Sequence, residues 1–376
     1  MLVTLIGEKR PPLHSLAVFP SLSISALLEN MRALILAGGK GTRLRPLTVY
    51  TPKPIVPVVN RAFLLYQIDV LKKAGIEDIM LSLSYQPDKI EQLLGDGSDH
   101  GVRLKFLTEP SPLGTAGAYR FGTSESDGPT LVLNGDILTN ADLSKLIDRH
   151  QTSGAEVTIA LAAVENPSDY GLVETDKNGW VKRFIEKPPA DPSASKKLNL
   201  VNAGIYVLEP SVRDLVPVDE NRSFEYHVFP ELLAARRSFG THSLSEEYWR
   251  DLGTPESYLA AHLDFLAGRL SGLEVQRDGI SDIATSAAID AGSVIGEGCV
   301  VKPNAQIKNS VLGAGVHVEE RAVIENSVIW SHTRVSTFAE IKNSVVGRGC
   351  FIGRNVSIGD GGVLGDKASI PDYSYT

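Results

Sequence analysis

A pentapeptide recurs near the C-terminal end of this chain as Ile307-Lys-Asn-Ser-Val311, Ile324-Glu-Asn-Ser-Val328 and Ile341-Lys-Asn-Ser-Val345, and its seventeen-residue spacing restricts the fold more than any other feature. Seventeen is close to three hexapeptides. Branched apolar residues recur through the same stretch at Val301, Ile307, Val316, Val318, Val323, Val335, Ile341, Ile352, Val356 and Ile358. A unit this short buries its aliphatic side chains only by stacking them on the next copy, so the chain beyond about residue 283 is predicted to wind into a parallel β-helix. Periodic short strands are also compatible with an antiparallel sandwich.

Upstream the texture changes. From Met31, apolar runs alternate with amphipathic segments: Ala33–Ala37, Phe63–Lys73, Ile79–Ser84, Asp88–Leu94, Leu104–Thr108 and Thr130–Leu133. This spacing predicts an α/β fold with a Rossmann-like, mainly parallel sheet covered by helices. Further strands are expected at Glu156–Ala162, Leu172–Thr175, Val181–Ile185 and Gly204–Leu208, and helices at Val228–Ala235 and Pro255–Leu266. Gly268, Gly272 and Gly279 then punctuate the change of texture. A chain of 376 residues more readily splits into two domains than enlarges one core, and the expected division is 31–270 and 280–376. Residues 1–30 carry a basic pair, Lys9 and Arg10, before an apolar run, but Pro11, Pro12 and Pro20 break it. They are read as a disordered extension, or as the product of an upstream start with Met31 as the natural first residue, and not as a secretory signal.

A net charge of -8 offers no basic surface for nucleic acid or an anionic membrane. No uninterrupted apolar stretch is long enough for a transmembrane helix. Two cysteines, Cys299 and Cys350, cannot build a disulfide framework, and they are read as small buried hydrophobes in a cytoplasmic protein.

The densest chemical signal is Leu36-Ala-Gly-Gly-Lys-Gly-Thr-Arg-Leu-Arg-Pro-Leu-Thr48, at the end of the first predicted strand. Gly38, Gly39 and Gly41 let main chain approach a phosphate or base, and Arg43 supplies a planar fork of donors. The string is not a P-loop, because Gly41 follows Lys40 where Ser or Thr is required. It is not a dinucleotide fingerprint either: Leu44 stands where a small residue is needed, and Pro46 interrupts the helix that should follow.

With Pro52-Lys-Pro54, this string resembles the signature of the sugar-1-phosphate nucleotidyltransferases. The Pro-Lys-Pro form, Leu113-Gly-Thr-Ala-Gly117 and Trp249-Arg-Asp-Leu-Gly-Thr-Pro255 are most similar to the members that act on mannose 1-phosphate and GTP. The C-terminal segment in turn resembles left-handed hexapeptide β-helix domains, best in Gly292–Gly298 and Gly349–Gly353, with the coil at Trp330 expected to be irregular. The first resemblance implies that Leu36, Ala37, Gly38, Gly39, Gly41, Thr42 and Arg43 bind nucleotide, and that Arg43, Lys53 and Lys187 serve as catalytic cations. Asp136, which ends the apolar run Leu131-Val-Leu-Asn-Gly-Asp136, and Asp251 would hold Mg²⁺.

Glu186 in Phe184-Ile-Glu-Lys-Pro188 would accept from sugar hydroxyls and Lys187 would meet the sugar phosphate, with Gly171 and Asn202 completing that pocket. Gly114 would pack on the base and Thr115 would bond its edge, while Glu109 could accept the adjacent N–H donors of guanine. None of the eight histidines lies in these motifs, and His227 is expected to be structural.

The implied reaction is in-line attack by a sugar 1-phosphate oxygen on the α-phosphorus of a nucleoside triphosphate, releasing pyrophosphate. Thymidylyl-, uridylyl-, adenylyl- and cytidylyltransferases share this chemistry, and a non-catalytic nucleotide-sugar-binding subunit would share the fold. A bifunctional uridylyltransferase and acetyltransferase fits less well, because the β-helix is short and lacks a histidine-bearing acyl site. The β-helix is expected to join copies of the chain into a homo-oligomer.

Overall fold

The computed structural model describes residues 30–124, 128–189, 198–273 and 280–375. The expected extension ahead of residue 30 lies outside the described residues. The strand Arg32–Leu36 pairs in parallel with Asp78–Leu83 on one side and Thr130–Asn134 on the other, and Arg103–Thr108 extends the parallel half. On the far side of Thr130–Asn134 lies the antiparallel strand Asn199–Leu208, followed by Gly171–Thr175 and Val181–Glu186. Val157–Val164 and Phe239–Ser243 complete the nine strands. Successive residues of a strand face opposite sides: Ala33 and Ile35 join one core, and Leu34 joins a second. A sheet buried on both faces explains why these strands read as continuous apolar runs.

Helix Phe63–Lys73 has the predicted bounds and buries Phe63, Leu64, Ile68, Val70 and Leu71. Besides the single turn Pro210–Arg213, two longer helices among the described residues lie outside those expected. Gly114–Gly122 looks like a loop because, apart from Tyr119, its buried residues are glycine and alanine: a Cβ on Gly117 would sit 2.6 Å from the Glu220 carbonyl oxygen. Leu143–Ser153 does carry a helical pattern, burying Leu143, Leu146, Ile147 and His150, and Asp142 caps it. The helix expected at Val228–Ala235 begins instead with a π-turn, Phe224–Val228, and continues as Phe229–Ala234.

The C-terminal strands form three parallel sheets of six, five and five strands, the faces of the expected left-handed β-helix. Ile307, Ile324 and Ile341 stack in its interior. Val323 does not: it is partly exposed on its strand, and neighbouring Ile324 points inward. The Asn-Ser pair of the repeat has a physical cause. Asn309, Asn326 and Asn343 turn the corner at φ 46, 48 and 47°, a left-handed conformation that asparagine tolerates better than most residues. Ser310 and Ser327 are buried; each hydroxyl donates to the carbonyl two residues back and accepts the amide of the serine one coil on. Both cysteines are buried as expected, and their thiols also donate to glycine carbonyls, Cys299 to Gly313 and Cys350 to Gly365, at 3.2 Å.

The coil at Trp330 is regular, contrary to expectation. Its strands Val328–Ile329 and Arg334–Val335 pair in register, and the indole leaves the coil to enter the catalytic core. Val294, Val311, Val328 and Val345, all on one sheet, join that core too. Burial of each is worth roughly 1.5–3 kcal/mol, so one face of the β-helix is committed to the catalytic part.

Candidate active site

The glycine-rich string emerges at the carboxyl end of Arg32–Leu36, where an open parallel sheet exposes backbone groups. Gly135 donates to the Leu36 carbonyl and Ala37 to that of Ser82, both at 2.9 Å, so the loop leaves the sheet along a fixed path. A Cβ on Gly38 would lie 2.9 Å from Ser84 Oγ, whereas one on Gly39 would meet nothing within 4 Å. Gly38 is therefore held by its neighbours, and Gly39 faces open space. Gly41, at φ 61°, passes beneath Lys53, whose Cβ would lie 3.0 Å from an added methyl group. The short turn Thr42–Leu44 buries Leu44 and leaves Thr42 and Arg43 exposed, with the Arg43 guanidinium beside Gly253, 3.1 Å from where a Cβ there would stand.

Lys53 Nζ donates to Asp136 Oδ2 at 2.9 Å, and Lys53 is largely buried while a third of the Asp136 side chain (33%) remains open. Burial alone would push the Asp136 carboxyl up. The Lys53 charge and hydrogen bond, with Arg43 behind them, more than offset that and hold it below the usual carboxylate range. Gln67, missed in the sequence, fixes this turn: its buried Nε2 donates to the carbonyls of Asn134 at 2.8 Å and Ile137 at 2.9 Å, one on each side of Gly135-Asp136.

Asp251 reaches the same place through a two-stranded ribbon in which Trp249–Asp251 pairs antiparallel with Ile137–Thr139. Leu252 N donates to the Asp136 carbonyl at 2.8 Å, and Tyr170 Oη donates to Asp251 Oδ1 at 2.7 Å. Arg43, Asp136 and Asp251 line one cavity of about 140 Å³.

Opposite them the cavity is walled by Gly171, Glu186, Asn202, Gly204 and Glu225. Gly171 cannot carry a side chain, since a Cβ there would lie 2.5 Å from the Phe184 ring and 2.9 Å from Glu186 Oε2. Glu186 Oε2 and Asn134 Oδ1 are buried without a hydrogen-bond partner, two acceptors in a pocket wall awaiting donors. Burial first, then repulsion from Glu225, push the Glu186 carboxyl up to about 7 against the pull of Lys187. Asn202 lines the cavity with its amide already used, donating to Tyr206 Oη at 2.8 Å and accepting from Gly204 N at 2.7 Å. Lys187 follows at φ 48° with an exposed side chain, beside the cavity but not in its wall.

The segment 109–117 is braced from within. Glu109 accepts from Ser82 Oγ at 2.7 Å and from Leu113 N at 3.0 Å. Gly114, at φ 73°, packs against the Arg222 carbonyl. Thr115 Oγ1 donates to Glu225 Oε2 at 3.0 Å and accepts from Phe224 N at 2.9 Å, which ties this segment to the Glu186 side of the cavity. His227 accepts from Ser223 N at 3.1 Å, the structural role expected of it. Asn134, Glu225 and Asp169 line the cavity but were not singled out beforehand. Of these, Asn134 stood within a quoted motif, two residues before Asp136.

A nucleotidyl transferase family model matches residues 32–268, and the EIF2B subunit epsilon LbH domain matches 276–374. The chain is 36% identical over 291 residues to the mannose-1-phosphate guanylyltransferase of Mycobacterium tuberculosis (strain ATCC 25618 / H37Rv), covering 74% of this chain and 79% of that one. It is 37% identical over 278 residues to the mannose-1-phosphate guanylyltransferase catalytic subunit beta of Drosophila melanogaster, covering 73% of each. The crystal structure of HddC from Yersinia pseudotuberculosis superposes with a TM-score of 0.54 at 29% identity, over 62% of this chain and 99% of that one. With Arg43 of the glycine-rich loop, the Lys53-paired Asp136 and Asp251 brought to one cavity, and with these matches over most of its length, the chain belongs to the nucleotidyl transferase family.

Proposed function

We propose that this chain is a mannose-1-phosphate guanylyltransferase, which joins GTP and mannose 1-phosphate into GDP-mannose and releases pyrophosphate. The observation that carries the reading is the division of one cavity into two chemistries. Arg43, Asp136 and Asp251 in its lining suit phosphates and their counter-ion, while Glu186 Oε2 and Asn134 Oδ1, buried without partners in the same lining, suit sugar hydroxyls.

The attacking phosphate oxygen is already anionic, so catalysis needs positioning and charge neutralisation, not a side-chain nucleophile. Leu36, Ala37, Gly38, Gly39, Gly41 and Thr42 bind the nucleotide by main chain, while Arg43 and Lys53 balance the charge passing to pyrophosphate. Glu186 orients the sugar, and Lys187 closes on the sugar phosphate from the rim. Glu109, Gly114 and Thr115 shape the base side.

Among the described residues no three His, Cys, Asp or Glu side chains form a closed metal cage. Asp136 and Asp251 instead offer two carboxylates at a phosphate site, a donor set that fits Mg²⁺ completed by phosphate oxygens and water. When bound there, Mg²⁺ would supply positive charge to the phosphates. Among the described residues no helix is long and apolar enough to cross a membrane, and a cytoplasmic setting suits a nucleotide substrate. Self-association through the β-helix is part of the proposal. Chromatography of a reaction with GTP and mannose 1-phosphate tests the reading: a GDP-mannose peak supports it, and its absence overturns it.

A further inference from the structure

The junction between the catalytic part and the β-helix contains a buried hydrogen-bond relay. Trp330 Nε1 donates to Tyr258 Oη at 2.9 Å, and Tyr258 Oη donates to the Pro57 carbonyl. Tyr258 is fully buried and Trp330 is 2% exposed, so water does not replace either bond. Burial also holds the Tyr258 phenol above its usual range, which keeps it a donor. The indole is an exception in its column. Neighbouring coils place Gly296, Gly313, Gly347 and Gly365 at the corner that Trp330 occupies.

The relay ends beside two groups of the active site. Pro57 lies four residues after Lys53, on the same tight segment. Tyr258 lies in the first turn of helix Pro255–Leu266, and its neighbour Ser257 donates Oγ to the Asp251 carbonyl. The Tyr258 hydroxyl thus joins the Lys53 segment to the β-helix, and the helix turn that carries it is tied through Ser257 to the Asp251 segment. Two further contacts hold the same region: Asn60 Nδ2 donates to the Leu312 carbonyl at 2.8 Å, and Gly365 packs under Pro46, with 3.0 Å left between an added Cβ and the proline Cβ. A junction needed only for cohesion would be served by apolar side chains, since burying an indole N–H and a phenol requires that both be paired.

We infer that Tyr258 and Trp330 are positioning residues, whose relay fixes the spacing of Lys53 from Asp251 and makes the phosphate-binding geometry depend on the β-helix. The inference rests on the roles proposed above for Lys53 and Asp251. The test compares full-length Tyr258→Phe, Trp330→Phe and the double variant, with Lys53→Met and Asp251→Asn as references. Tyr258→Phe should lower kcat about tenfold and Trp330→Phe about threefold, the range expected for one hydrogen bond. The double variant should be no worse than Tyr258→Phe, because members of one relay are not additive. KM for both substrates should stay within about twofold and melting should stay cooperative, since the glycine loop and the sugar-facing residues keep their own contacts while only the spacing of Lys53 from Asp251 shifts. Mn²⁺ binding to the unliganded protein, read by electron paramagnetic resonance, should weaken about threefold in Tyr258→Phe as Asp251 loses its setting.

Unchanged kcat and Mn²⁺ binding in both single variants, with inactive reference variants, would overturn the relay alone, as would additive losses. Active Lys53→Met and Asp251→Asn would overturn the catalytic assignment and the relay with it. Should Tyr258→Phe fail to fold, Trp330→Phe decides the matter by itself.

Discussion

Asp136 is where the charge balance of the site is most exposed to experiment. Its carboxylate faces Lys53 at 2.9 Å, and Asp136→Asn removes both the charge and the proposed metal donor while keeping the shape. Turnover should fall about a hundredfold or more with little loss of folding; near-normal pyrophosphate release would refute its role. Glu186 makes a pH prediction. Its carboxyl is raised to about 7, so it is a poorer acceptor below that pH, and KM for the sugar 1-phosphate should rise as pH falls from 8 to 6.

The stability sign is the reverse. A carboxyl raised in the folded state costs stability above its folded pKa, and that cost disappears below its unfolded value near 4.5. Glu186→Gln should therefore raise Tm at pH 8 and leave it unchanged at pH 4, as calorimetry would show. Glu109 was read as a guanine acceptor, yet both its oxygens accept from Ser82 and Leu113. Unaltered GTP preference in Glu109→Gln would leave it as a loop brace alone. Asp136 was legible because a carboxylate closing an apolar run stands out, whereas Asp251 and Glu186 were legible through the motifs that resemble the family's. Gln67 and Glu225 were not, since each acts through partners 67 to 110 residues away in the chain.

At the level of elements, the repeat made the β-helix legible down to its corner residues. Asn326 holds φ 48° and accepts from Asn309 Nδ2 at 2.8 Å. Asn326→Ala should lower stability by about 1–2 kcal/mol, the cost of a left-handed residue with a Cβ, without altering turnover. Ser327→Ala strips the Ser344 amide of a buried acceptor and should cost about 1–3 kcal/mol. Denaturant melts would measure both. The helix Gly114–Gly122 escaped notice for the opposite reason. Close packing against Glu220 and Arg222 demands small residues, and small residues carry no periodic apolar signal. The antiparallel half of the sheet was only partly legible: Gly204–Leu208 was read, but the strand starts at Asn199 and changes register between Asn202 and Tyr206.

For the whole molecule, the β-helix had been read only as a means of joining copies of the chain. One of its three faces is instead spent on the catalytic part, through Trp330 and the valines at 294, 311, 328 and 345. This commitment was illegible because those valines look like any other inward residues of the repeat. The proposed association of copies would then use the other two faces or the ends, and sedimentation equilibrium is expected to find a mass above one 40.5 kDa chain. The central claim is which two substrates the cavity joins. It is tested most directly by pyrophosphate release from a matrix of nucleoside triphosphates against mannose, glucose and heptose 1-phosphates. Strong release is expected only for GTP with mannose 1-phosphate; release confined to another pair, or none at all, would contradict the assignment.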